Sequence, residues 1–166
     1  QFLGPGQLFH QEEIKDLIAY LKVLVHYEDT PSLYRVLCMP VFALSGKTIA
    51  TLLNVAKKRH ISLFEIIATL DALTIPDDEK EKLIKVHAMI TKHLGLVSQE
   101  SAGQILYYFL QETELLQKMV DPQSLADEKQ AQDIARFFEK LKKFETEQKE
   151  RSVFSVVDWI ELSMQM

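Results

Sequence analysis

Asp77-Asp78-Glu79-Lys80-Glu81-Lys82-Leu83-Ile84-Lys85-Val86-His87-Ala88-Met89-Ile90-Thr91-Lys92-His93-Leu94-Gly95 decides the fold class. Its apolar stripe, Leu83, Val86, Ile90 and Leu94, returns every three or four residues, as one face of an α-helix requires. Carboxylates crowd the end where the helix dipole is positive, and Gly95 stands where a C′ residue in the left-handed conformation is expected. Asp77 and Asp78 could be imagined as a general acid and base, but their place at a helix start favours a capping role.

The same pattern runs outward from this segment. Upstream, Ile14, Leu17, Ile18, Leu21, Leu24 and Val25 make one stripe between Glu12 and Tyr27, with Glu13, Lys15, Asp16 and Lys22 opposite. Thr30 before Pro31 reads as an N-cap for a short helix through Leu33, Val36 and Leu37 that ends before Pro40. Gly46 to Arg59 buries Ile49, Leu52, Leu53 and Ala56, and Ser62-Leu63-Phe64-Glu65 is a capping box for the next helix. Downstream, Ser98 or Ser101 caps a long helix through Ile105, Phe109, Leu116, Met119 and Val120, stopped by Asp121-Pro122. Ala126 to Lys149 follows with Ile134, Phe137, Phe138, Leu141 and Phe144 inside. Ser152 to Met164 is rich in β-branched and aromatic residues, but without a partner strand it reads as a helix. The expected fold is all-α: residues 1-166 as a single irregular helical domain of about seven or eight helices. No linker, repeat or low-complexity tract divides it.

Composition agrees with one folded domain. With 166 residues, roughly 70% of the unfolded surface can be buried. Hydrophobic residues make up 47% and charged residues 26%, unlike the composition of disorder. The net charge of −5 gives no global attraction for nucleic acid, so any DNA contact must be local. The single Cys38 has no internal disulfide partner and sits beside Leu37, as a core residue would. No apolar run approaches the ~20 residues that span a bilayer, and no signal-peptide pattern opens the chain, so a cytoplasmic location without membrane contact is expected. The chain opens on Gln1-Phe2-Leu3 and stops within an amphipathic pattern at Met166, as a segment of a longer polypeptide would.

Ser45-Gly46-Lys47-Thr48 matches the end of a phosphate-binding P-loop, but Val41 stands where its first Gly belongs and no strand precedes it. What survives is a helix N-terminus with a lysine, a local anion site, against the alternative that Gly46 merely makes a turn. His10, His26, His60, His87 and His93 are scattered, with no metal-binding spacing. The basic run Lys57-Lys58-Arg59-His60 ends a helix, where cations complement the dipole. The helices flanking Pro40 to Ser45 invite a helix-turn-helix reading, but their apolar turn lacks groups for base edges. No catalytic residue can be nominated and no cofactor or metal is expected in this chain.

Gly4-Pro5-Gly6-Gln7-Leu8-Phe9, then Glu13-Ile14-Lys15-Asp16-Leu17-Ile18-Ala19-Tyr20-Leu21, and later Glu28-Asp29 with Ser32-Leu33, resembles the start of the 2B domain in UvrD/Rep-type superfamily 1 DNA helicases. Phe9, Glu13, Ile14, Lys15 and Asp16 carry the signature, which in that family marks the passage from motor domain 2A; residues 1-10 would be the junction. The register continues through Pro40, Thr48 and Ile61-Ser62-Leu63, and from Glu79 onward by helical pattern and length.

The resemblance implies a parent that is an ATP-driven, 3′-to-5′ DNA helicase, with ATP and Mg held between motor domains outside this segment. Its partners would be those motor domains and, at the 2B domain, the backbone of duplex DNA. The family's duplex contact reads Arg-Gly-Ile-Gly, a polar residue, a basic residue and Thr. The matching positions are Phe42, Ala43, Leu44 and Ser45, then Gly46, Lys47 and Thr48. Arg and both glycines are gone. Ser45, Gly46, Lys47 and Thr48 are therefore the candidate DNA-binding residues, and the alternative is a stand-alone helical protein-interaction domain with exposed Phe42 and Leu44 as its apolar anchor.

Overall fold

The computed structural model describes residues 5–165; Gly4 of the signature, the residues before it and Met166 lie outside the described residues. Helix α2, Glu12–Val25, is the axis of the fold, with α3 (Thr30–Leu37), α9 (Leu125–Gln148) and α10 (Val153–Met164) packed around it. Its interior residues include Ala19, Tyr20 and Val23 as well as the expected stripe up to Leu24, so from Leu17 to Leu21 it is buried on every side; Val25, expected on the stripe, is exposed where the helix ends. A helix apolar all round belongs at a core's centre. α6, Asp77–Leu94, and α7, Ala102–Glu112, close a further side of it.

The remaining elements are α1 (Pro5–Phe9), a 3₁₀ turn (Pro40–Phe42), α4 (Gly46–Arg59), α5 (Leu63–Ala68) and α8 (Leu115–Val120). Among the described residues there are thus ten α-helices and no strand, against the expected seven or eight. The extra elements have local causes. α1 forms at Pro5, and the long helix expected through Val120 breaks where the Thr113 hydroxyl bonds the Phe109 carbonyl at 2.6 Å and Glu114 turns left-handed at φ 67°.

The caps are mostly as expected, with instructive exceptions. Ser62 and Ser101 each accept from a backbone N–H in the first turn, and Ser62 with Glu65 closes its capping box; Ser45, not among the expected caps, does the same for α4. Ahead of α3, however, Asp29 is the cap, accepting from the Ser32 N–H at 3.1 Å. Thr30 instead accepts from the Leu63 N–H at 3.1 Å, tying α3 to α5. Pro76 precedes α6, so Asp77 and Asp78 lie in its first turn, at its positive end, and not at the N-cap. Gly95 is right-handed, φ −69°, so α6 ends without the expected left-handed residue.

The left-handed positions fall instead on Ala43, His60, Glu114 and Lys149. At Ala43, φ 50°, the strain is the cost of closing the turn before α4 without glycine. Ala43→Gly should raise stability by about 1 kcal/mol and the thermal midpoint by roughly 2–4 °C, read by calorimetry, because glycine enters this region without steric penalty.

Two further apolar expectations are corrected. Cys38 is exposed, because Leu33, Val36 and Leu37 take the inward face of α3 and Cys38 falls beyond it. Val120 is 74% exposed, since the break at Glu114 turns the end of α8 outward.

Candidate nucleic-acid interface

The four candidate residues lie at the start of α4. Ser45 is its N-cap: the hydroxyl oxygen accepts from the Thr48 N–H at 3.1 Å and the hydroxyl lies 3.1 Å from Thr48 Oγ1. The preceding turn is held by the Ala43 N–H bonding the Pro40 carbonyl at 3.0 Å and by Lys82 Nζ on the Ala43 carbonyl at 3.0 Å. The turn thus closes without glycine; Ala43 takes the left-handed conformation itself.

An internal carboxylate already stands at this helix start. Glu79 Oε1 accepts from the Ser45 N–H at 2.6 Å, and Oε2 lies 3.1 Å from the Ser45 hydroxyl. The Ser45 N–H bond is the main reason that the Glu79 carboxyl is held below its ordinary value, ahead of burial, which opposes it. The Glu79 side chain is itself buried. What remains for an outside anion is the Lys47 ammonium, which is exposed, and the N–H groups of Gly46 and Lys47, which have no hydrogen-bond partner among the described residues. Thr48 is buried, so it supports the turn and presents no hydroxyl to solvent.

Phe42 and Leu44 do not make the exposed anchor expected of a protein-binding turn. Both are half-buried against the core, and the Phe42 ring meets Phe109 edge-on at 6.3 Å. An open cleft of about 500 Å³ lies between this turn and α7, lined by Phe42, Ala43, Lys82, Lys85 and Glu112. Among the described residues no group of three or more His, Cys, Asp or Glu could hold a metal ion, and no helix is long and apolar enough to cross a membrane.

The signature residues have structural positions. Phe9 is fully buried, edge-on to Phe137 at 5.9 Å and to Trp159 at 5.6 Å, which joins α1 to α9 and α10. Ile14 is buried, and Lys15 pairs with Glu12 at 3.8 Å on the surface. Asp16 pairs with Arg35 Nε at 2.9 Å, binding α2 to α3. Burial raises the Asp16 carboxyl above its ordinary value despite this partner. Glu13 packs beside Asp133 of α9 and is raised, first by burial and then by that neighbour, while Lys129 bonds Asp133 at 2.9 Å.

Sequence reasoning missed two interior groups on α6. Glu79 and His93 continue the register of Leu83, Val86 and Ile90, so both point inward. His93 is fully buried, with Nδ1 2.5 Å from the Tyr20 hydroxyl and Nε2 2.9 Å from Glu112 Oε2. A neutral imidazole satisfies this chain completely: Tyr20 donates to Nδ1 and Nε2–H donates to the carboxylate. Burial lowers the His93 pKa, against the opposing pull of Glu112, and burial raises the Tyr20 phenol well above its usual range. The signal in the sequence was a polar side chain at a stripe position.

The UvrD-like helicase C-terminal domain family matches residues 1–165 of the chain. The chain belongs to this family. The match covers the later helices too, for which the resemblance in sequence rested on pattern and length. Two similar proteins are the ATP-dependent DNA helicase PcrA of Staphylococcus epidermidis, 22% identical over 86% of this chain and 20% of the relative, and PcrA of Bacillus subtilis, 20% identical over 91% and 20%. The ATP-dependent DNA helicase Rep of Buchnera aphidicola is 29% identical over 48% of this chain and 12% of its own length. The chain therefore spans about a fifth of the length of the PcrA relatives it matches. As a UvrD-like helicase C-terminal domain, it is all-helical and carries no P-loop.

Proposed function

We propose that this UvrD-like domain is the non-catalytic 2B domain of an ATP-dependent DNA helicase, and that it holds the duplex backbone through the start of α4 without reading sequence. The supporting observation is the turn itself. The family's contact has lost its Arg and glycines here, yet Ala43 restores the left-handed bend and Lys47 stands exposed and unpaired beside two partnerless backbone N–H groups. Such groups position a phosphate and carry no base readout.

ATP and Mg do not fit this chain. Val41 stands where a P-loop needs its first glycine, and the Thr48 hydroxyl that such a loop would turn toward the metal is buried, 3.1 Å from the Ser45 hydroxyl. In this reading, ATP hydrolysis and 3′-to-5′ unwinding belong to motor domains of the same polypeptide, against which 2B swivels to restrain or permit unwinding. The buried Phe9 and Glu13 clusters supply the rigid start such a swivel needs, because they fix α1 and α2 to α9 and α10.

Lys47→Ala tests the contact. In a salt titration of labelled duplex binding, the variant should bind more weakly and its slope of log K against log salt should be shallower by about 0.9, one phosphate's worth. Superimposable curves would remove Lys47 and the turn from DNA binding.

A further inference from the structure

The proposed contact at the start of α4 leaves most of that helix unused, and its solvent face has a charge pattern that no other long helix here shares. α2, α6 and α9 each mix acidic and basic residues, whereas α4, Gly46 to Arg59, contains Lys47, Lys57, Lys58 and Arg59 and no carboxylate. Lys47, Thr51, Asn54 and Lys58 are spaced by four, three and four, so they form a single ridge, with Ala50 and Lys57 alongside. Lys47, Ala50, Asn54, Lys57 and Lys58 are all exposed. None of the four cations enters an ion pair among the described residues of a chain whose net charge is −5.

Helix capping does not account for the basic end. Two of the last carbonyls of α4 are closed by backbone donors, the His60 N–H on Lys57 at 3.3 Å and the Ile61 N–H on Ala56 at 3.1 Å, with His60 left-handed at φ 56°, and among the described residues no lysine side chain is bonded to them. Lys57 and Lys58 are thus free to face a ligand. From Lys47 to Lys58 the helix rises about 16 Å, enough to set a cation on the backbone at each side of a duplex groove roughly 12 Å wide. On the ridge between them stand Ala50, Thr51 and Asn54, small or polar, so nothing bulky holds the helix away.

We propose that the whole exposed ridge of α4, from Lys47 to Lys57 and Lys58, is the duplex-backbone surface of this domain, with the two cation groups gripping phosphates at opposite ends. This rests on the reading of α4 as the DNA contact and adds its distal half. The occupant is a DNA phosphate backbone, favoured by unpaired positive charge at two separated points and by the absence of an apolar anchor on the ridge.

The test compares the chain with Lys57→Gln/Lys58→Gln and with Lys47→Ala, using a fluorescent 20-base-pair duplex across a salt series. Circular dichroism and the melting midpoint should be unchanged in both variants, since these side chains are exposed. The double variant should lose affinity at low salt, with a slope shallower by roughly 1.8, two phosphate contacts. If Lys47→Ala weakens binding while the double variant matches the parent chain, the extension is overturned and the contact at the helix start stands. If the chain does not bind duplex at low salt, both readings fall. If polyglutamate competes as well as unlabelled duplex does, the ridge is a face for an acidic protein and the proposal is overturned.

Discussion

Phe9→Ala is expected to cost about 3–5 kcal/mol of folding free energy, the range for removing a buried aromatic ring from a core that cannot collapse around the void. The ring is fully buried and meets Phe137 and Trp159 edge-on, while Trp159 in turn stacks on Phe144 at 4.5 Å. One deletion therefore loosens three elements: α1, which has only five residues, and the faces of α9 and α10 it seals. Urea unfolding would measure the loss, and the thermal midpoint should fall by roughly 6–20 °C. Phe9→Leu, which refills part of the volume, should lose less. A loss under about 1 kcal/mol for the alanine variant would mean that the signature aromatic is not the structural joint described above.

Acid is expected to weaken the fold through His93 before it reaches the carboxylates. Burial lowers the pKa of His93 in the folded chain below its ordinary 6.5. The unfolded chain thus binds the proton first, so the contribution of neutral His93 is complete above pH 6.5 and is lost as pH falls through the folded value. A single proton gives a slope of up to about 1.4 kcal/mol per pH unit in that window. Glu13 works in the opposite sense. Its carboxyl is raised in the folded chain, so its contribution is present at low pH and is lost as pH rises through the folded value. The effect of His93 is isolated by comparing urea stability from pH 7.5 to 5 in the chain and in His93→Gln, where Glu13 cancels. The parent chain should lose more stability than the variant over that range. Parallel curves would show that the Tyr20–His93–Glu112 chain relaxes to accept the charge.

The two groups bear differently on legibility. Phe9 was singled out from its motif, but nothing in Leu8-Phe9-His10 says that its ring partners lie on α9 and α10. In the sequence His93 is one of five scattered histidines. A scan for metal-binding spacing tests for other histidines, whereas its partners are a tyrosine and a glutamate on different helices. By local sequence Glu79 is one of three carboxylates at a helix start, a role that Asp77 and Asp78 retain on the surface. Its register along the Leu83 and Val86 stripe carried the further information that it turns inward to Ser45.

The candidate site was legible in identity and incomplete in chemistry. A helix start at Gly46 with Lys47 beside it follows from local sequence, because capping joins residues three apart. That Phe42 and Leu44 pack inward, and that the basic end of α4 is left without carboxylate partners, depends on what neighbouring helices present.

Sequence by itself determined that this is an all-helical member of its class, where most helices start, and which faces hide. These properties are set by periodicities of three and four and by caps, all within one or two turns of chain. Only the tertiary structure decided that α2 is buried on every side, that Ala43 bends without glycine, and that Glu79 fills the start of α4. Those outcomes rest on contacts between groups far apart in the chain, 34 residues for Ser45 and Glu79 and 73 for Tyr20 and His93. Local propensity does not encode such distances; packing selects them when the helices assemble.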